Sequence, residues 1–303
     1  MGPTASGKTQ LAIQLTKHFP FEIISVDSAM VYRGMDIGTA KPELDILTIT
    51  PHRLIDIREP QDVYSAAQFR EDALREIADI QAQGRIPLLV GGTMLYFRAL
   101  HQGIAPMPSA NAALRLKLSH EGEQWGWPAL HHRLMAIDPV AAQRIHPHDS
   151  QRIQRALEVQ ALSGKNLTTY HQDQESDSTG YLFHYLVIAP PERAVLHERI
   201  QKRFFRMLEA GWVDEVKQLF TRKELNITIP AIRSVGYRQI WEYLEGKLTY
   251  EEMREKGIIA TRQLAKRQLT WLRRWQDAVW FDSEDDDLFF QIVDYLSKIK
   301  ILL

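Results

Sequence analysis

Gly2-Pro3-Thr4-Ala5-Ser6-Gly7-Lys8-Thr9, running into residues 10–18 with Leu11, Ala12 and Leu15 on one face, decides the fold. The octapeptide matches G-x-x-x-x-G-K-[ST], a phosphate-cradling loop that opens a helix. Its glycines let the backbone wind until N–H groups converge on phosphate oxygens. Lys8 brings a positive charge to the same place, the Thr9 hydroxyl can join a Mg²⁺ shell, and the helix N-terminus faces the anion. All eight residues are therefore expected to hold phosphate. ATP-binding and nucleotide-binding loops share the signature, so the loop alone does not distinguish a nucleotide from another diphosphate. Such a loop normally follows a buried strand. Here it starts at the second residue, and the expectation is that the natural chain begins earlier.

Outward from the loop, residues 22–26, 53–57, 87–90 and 183–189 read as strands, and 65–83 as a helix that Gly84 ends. Apolar strands alternating with helices imply an α/β fold, a P-loop NTPase-like parallel sheet flanked by helices. Ligands in such sheets lie at the carboxyl ends of the strands, which gathers Asp27, Thr93 and the phosphate loop around one crevice. Residues 108–181 have a helical pattern instead, with Asp149 as a cap and Gly164 as a stop for the last long helix. The expected organisation is a P-loop core begun by 1–107, an all-α insertion at 108–181, and core completion with basic C-terminal helices in 182–303. The polar stretch 173–180 reads as a mobile loop.

The 303 residues carry 37 Lys and Arg against 38 Asp and Glu, which excludes a wholly basic nucleic-acid coat but not local basic surfaces. Cysteine is absent, so disulfides, thiolate zinc sites and cysteine nucleophiles are excluded. No apolar run approaches the ~18 residues of a spanning helix. A soluble, cytoplasmic protein with no membrane partner is expected. Two N-x-T sequons, at Asn166 and Asn226, are chance matches on that reading.

Basic residues cluster nonetheless. The window 254–274 holds seven cations against Glu255 alone. Arg262, Lys266 and Arg273 fall within about 40° of one another around a helix. Arg152 and Arg155 in the insertion, and Arg233 and Arg238 further on, add to the set. Runs of this kind are commonly solvated helix faces, but several beside a phosphate crevice favour a polyanionic partner.

The segments 2–9, 25–42 (SVDSAMVYRGMDIGTAKP), 91–96 (GGTMLY), 233–238 (RSVGYR) and 261–268 (TRQLAKRQ) together resemble the tRNA dimethylallyltransferases, also called tRNA isopentenyltransferases. The likeness spans essentially the whole chain and is to the bacterial form, which lacks a C-terminal zinc finger. It implies transfer of a dimethylallyl group from dimethylallyl diphosphate to N6 of adenosine 37 in tRNA. The loop then cradles an isoprenoid diphosphate with Mg²⁺ at Thr9, and Asp27 is the general base. Lys8 and Arg238 take up charge on the departing diphosphate, and Thr93 touches the target nucleotide or the reacting centre. Similarity also places tRNA contacts at Asp27, Ser28, Ala29, Met30 and Thr93, and at Arg115, Gln151, Arg152, Ile153, Gln154 and Arg155. Further contacts fall at Arg233, Ser234, Val235, Gly236, Tyr237 and Arg238, and at Lys266, Arg267, Gln268, Leu269, Thr270, Trp271, Leu272 and Arg273. The insertion is expected to grip the anticodon stem-loop, with the target base turned out of its stack, and the protein to act as a monomer. Two other readings stay open from the residues alone: a kinase or ATPase with Asp56 as its Mg²⁺ carboxylate, and a non-catalytic RNA-binding protein.

Overall fold

The computed structural model describes residues 1–173 and 179–299; most of the stretch read as a mobile loop lies outside them. Contacts divide the chain into two compact units, Met1–His101 with Gly180–Leu303, and Gln102–Thr179.

In the first unit the order is α1 (Lys8–His18), β1 (Phe21–Val26), α2 (Leu44–Ile49), β2 (His52–Arg53), α3 (Ala66–Ala82), β3 (Ile86–Gly91) and α4 (Met94–Gln102). The second unit contains α5 (Ala112–Trp125), α6 (Trp127–Ile137), α7 (Pro139–Arg144), α8 (Ser150–Ser163) and α9 (Leu167–Gln172). The chain then returns to the first unit with β4 (Tyr185–Ala189), α10 (Arg193–Glu209), α11 (Trp212–Phe220), α12 (Tyr237–Leu244), α13 (Tyr250–Leu272), β5 (Ala278–Asp282) and α14 (Leu288–Lys298).

Every strand pairing is parallel, but the strands form two small sheets rather than one, in the orders β2-β1-β3 and β4-β5. β1 is buried at all six positions, as its β-branched run demands. β3, equally apolar in sequence, is half-exposed from Ile86 to Val90, its outer edge having no partner strand among the described residues. That edge faces an apolar slot of about 340 Å³, walled by α1, β3, β4 and α14. Met1 enters its far side. Its amino group donates to Leu186 O at 2.6 Å, and its own carbonyl accepts from Ile188 N at 2.9 Å, the start of a parallel pairing with β4. Pro87 sits in β3 because an edge strand tolerates a missing N–H.

The strand expected at 53–57 stops after Arg53. Arg53 reaches Glu22 of β1, Glu76 at 2.7 Å and Asp79 at 2.6 Å. Beyond it, Leu54 and Asp56 take left-handed φ values of 64° and 55°, which break a ladder. The turn is held where Asp56 accepts from Lys41 at 2.6 Å. β5 carried no expectation, and it pairs with β4 over all five residues.

Helix ends follow their sequence signals. Ser65 and Gln68 form a reciprocal capping box at α3, worth ~1 kcal/mol for the cap residue. Asp149 accepts from Arg152 N at 3.2 Å at the start of α8, and Gly164 ends that helix at φ 73°. The second unit has its own core around Leu118, Leu134, Ile153 and Leu157. Among the described residues no helix is long and apolar enough to cross a membrane.

Candidate active site

A cavity of about 480 Å³ opens at the carboxyl ends of β1 and β3, beside the phosphate loop. Within the loop, Gly7 has φ 85° at the N-cap of α1 and Ala5 φ 62°. These left-handed residues reverse the chain so that Lys8 and Thr9 begin the helix. Gly2 lies against Ile188 O with no room for a Cβ. Thr4, Ala5, Lys8 and Thr9 line the cavity. The Lys8 ammonium donates to Pro3 O at 3.1 Å. Burial first, then the nearby Arg203, lower its pKa to about 8, while Asp27 opposes the fall.

Asp27 follows the last residue of β1. Its Oδ1 accepts from Ala29 N at 2.9 Å and Met30 N at 3.3 Å, so it caps the 28–30 turn and lines the cavity at once. Thr93 follows the glycine pair after β3. Its N–H bonds Val26 O at 3.2 Å and its Oγ1 accepts from Ser28 N at 3.1 Å, tying it to the Asp27 turn. Gln268 of α13 accepts from Thr4 N and donates to Gly92 O, both at 2.9 Å.

Three guanidinium groups line the cavity: Arg203, Arg233 and Arg267. Arg238 does not. It pairs along α12 with Glu242 at 2.9 Å, the ordinary reach of an i,i+4 pair. Arg238, expected at the departing diphosphate, thus lies outside the cavity lining, and Arg203, which the sequence reading did not single out, is part of it. Burial pulls the Arg203 pKa down and Asp27 pulls it up. One signal was present: Leu196, Ile200 and Phe204 make the buried stripe of α10, and Arg203 falls on that stripe at i+7.

Glu215 of α11 was also missed. Its carboxylate accepts from Asp36 N at 2.8 Å, Ile37 N at 2.7 Å, Gly38 N at 3.3 Å and the Tyr237 hydroxyl at 2.6 Å. It joins the 36–38 turn to the 233–238 segment, both beside the cavity. Trp212 lines the cavity too, and its Nε1 finds no partner among the described residues.

The side chains expected at tRNA divide by burial. Ser28, Ala29, Met30, Ser234, Val235, Arg267 and Trp271 line the cavity. Gln151, Arg152, Arg238, Lys266, Thr270 and Arg273 are exposed. Ile153 and Leu272 are fully buried and Leu269 nearly so, which removes their side chains from any nucleic-acid surface. Tyr237 is buried as well, its hydroxyl spent on Glu215, and Gly236 packs against Trp212. Arg115 and Arg155 pair with the fully buried Glu158 at 2.9 and 2.7 Å. Burial alone would raise the Glu158 pKa, but bonds from Arg115 and Arg155 hold it below the usual carboxylate range. Gln154 donates to Arg115 O and Ser119 Oγ. On α13, Arg262 leaves the expected basic stripe by donating to Gln201 Oε1 at 3.0 Å.

Asp56, the kinase alternative's Mg²⁺ carboxylate, is held by Lys41 and does not line the cavity. No group of three His, Asp or Glu suited to a metal occurs among the described residues.

A family profile described as IPP transferase matches residues 30–275. The chain is 58% identical over 299 residues to the tRNA dimethylallyltransferase of Coxiella burnetii (strain CbuG_Q212), covering 99% of each. It has the same identity to the enzyme of strain RSA 493, of which 96% is covered. Among solved structures it resembles a Bacillus halodurans tRNA isopentenylpyrophosphate transferase. The TM-score there is 0.71 at 36% identity, over 98% of this chain and 94% of that one. A eukaryotic dimethylallyltransferase acting on tRNA gives a TM-score of 0.77 at 26% identity, over 98% and 77%.

Proposed function

The chain belongs to the IPP transferase family, and from that premise we propose that its cavity transfers a dimethylallyl group from dimethylallyl diphosphate to N6 of adenosine 37 in tRNA. The observation that carries this reading is the meeting of Lys8, Thr9, Arg203, Asp27 and Thr93 on one cavity at the ends of two parallel strands. That cavity has a cationic end for a diphosphate and a carboxylate for a proton. The neighbourhood corresponds to the phosphate-binding end of a P-loop NTPase-like fold, with an isoprenoid diphosphate in place of a nucleotide.

In the reaction the N6 lone pair attacks the allylic carbon of the donor, the carbon–oxygen bond breaks, and diphosphate leaves. The loop N–H groups, the Lys8 ammonium and the Arg203 guanidinium stabilise the charge that develops on the leaving oxygens. Asp27 takes the N6 proton, its carboxyl group held in place by the two turn bonds to Oδ1. Thr93, stitched to the same turn, orients the nucleotide. The donor set suits a Mg²⁺ shared with substrate, since the Thr9 hydroxyl supplies an oxygen and no cage of three protein ligands occurs among the described residues. Bound there by Thr9 and the diphosphate, Mg²⁺ would neutralise charge on the leaving group.

The tRNA contacts assigned to the helical unit are Gln151, Arg152 and the outer face of Arg115, which we place at the anticodon stem-loop. In the first unit, Arg233, Arg267 and Trp271 offer the splayed base and its phosphates cations and an aromatic face. The protein acts without a membrane partner, as a cytoplasmic monomer.

Mass analysis of nucleosides from tRNA incubated with the protein and dimethylallyl diphosphate tests the reading. One added C5H8 unit on adenosine is expected, without ATP. A strict ATP requirement would overturn it. Asp27→Asn keeps the turn bonds but cannot take the proton, so single-turnover transfer should fall ~10²–10⁴-fold with tRNA affinity nearly unchanged. A transfer rate equal to the unsubstituted enzyme removes Asp27 as the base.

A further inference from the structure

We infer that Gln268 is a positioning residue, whose carboxamide pins the phosphate loop to the Gly92–Thr93 turn and so sets the separation between donor diphosphate and proton acceptor. The substrates named rest on the prenyl-transfer reading; the pin itself rests on geometry.

The phosphate loop and the Gly92–Thr93 turn lie far apart along the chain and meet beside the cavity, where Gly2 O of the loop lies close to Gly92, the residue that follows β3. One buried side chain hydrogen-bonds to both. Gln268 Oε1 accepts from Thr4 N, in the middle of the loop, and Nε2 donates to Gly92 O, each at 2.9 Å. The next residue, Thr93, is bonded to Val26 and Ser28 on either side of Asp27. A path of three short contacts therefore runs from the donor's phosphates to the carboxylate.

The chemistry calls for glutamine at this place. A carboxamide has one accepting end and one donating end, matching an N–H on one side and a C=O on the other. Glutamate offers acceptors only and sets an oxygen against Gly92 O. Leucine keeps the volume and leaves both backbone groups unpaired. Gly92 has no room for a side chain because the Gln268 carboxamide lies against its α-carbon. Gln268 stands within the run 266–273 expected at tRNA, yet it faces inward.

The experiment compares Gln268→Glu and Gln268→Leu with the unsubstituted enzyme in three readouts: Kd for inorganic diphosphate without tRNA, kcat and donor KM for transfer, and Kd for tRNA. At pH 8 both variants should lose roughly tenfold to a hundredfold in kcat over donor KM, with diphosphate affinity reduced and tRNA affinity within twofold of normal. As pH falls towards 5.5, Gln268→Glu should recover relative to the unsubstituted enzyme, because a protonated carboxyl again has one donor and one acceptor. Gln268→Leu should not recover. Melting temperatures measured alongside show whether each variant is folded, and if leucine is not tolerated the pH recovery of the glutamate form still decides. Lost tRNA affinity with intact diphosphate affinity would make Gln268 a tRNA contact and overturn the inference. So would a deficit in Gln268→Glu that is the same at every pH. If the unsubstituted enzyme leaves tRNA unmodified, the prenyl-transfer reading fails, while the diphosphate measurements still test the pin.

Discussion

Lys8 sits among charges that pull its titration in opposite directions. Burial and Arg203 bring it down to about 8, and Asp27 limits the fall. The protonated form binds an anion, so diphosphate affinity should be full below pH 8 and decline as pH rises through it, with proton uptake on binding near that pH. Calorimetry with inorganic diphosphate in buffers of different ionisation enthalpy measures both. Lys8→Arg stays charged throughout this range, so its profile should keep only the ligand's own titration. A decline of equal size in Lys8→Arg would take the effect away from Lys8. At this scale the sequence singled out loop residues that line the cavity, because loop conformation is a local property. It singled out Arg238 and passed over Arg203, which lines the cavity, because an arginine's destination depends on its neighbours. Glu242 lies one turn away and captures the first. The second is carried on the buried face of a helix that begins 102 residues after Gly91.

α13 shows the same division among elements. Its amphipathic pattern and its Thr249–Glu252 capping box were readable from side chains three and four apart. Which cations face outward was not, since the basic stripe has two flanks and the packing of α10 selects between them. Arg262 packs beside α10 and bonds Gln201, while Arg267, Gln268 and Trp271 line the cavity. Arg267→Ala should therefore flatten the log–log dependence of tRNA affinity on salt by up to about 1, the loss of one phosphate contact. Arg262→Ala should leave the slope unchanged. Titrating labelled tRNA at several salt concentrations separates the two, and the opposite ranking would place the other flank of α13 on the nucleic acid.

At the scale of the whole molecule, burial ranks the strands. β1 is paired on both sides and buried at all six positions, whereas β5 pairs with β4 alone among the described strands and is half-exposed. Hydrogen exchange should find the β1 amides slower than those of β5. Equal protection would mean that β5 is covered. The sequence by itself determined the parallel α/β pattern, the helical character of the second unit and the family. Each of these depends on residues close together along the chain, or on motifs matched one by one. Only the tertiary structure decided that the described strands form two sheets, that Arg203 and not Arg238 lines the cavity, and that Gln268 faces inward. Those outcomes turn on which buried polar groups find partners far away in the chain, and a backbone N–H or C=O accepts whichever group the packed core brings within hydrogen-bond distance.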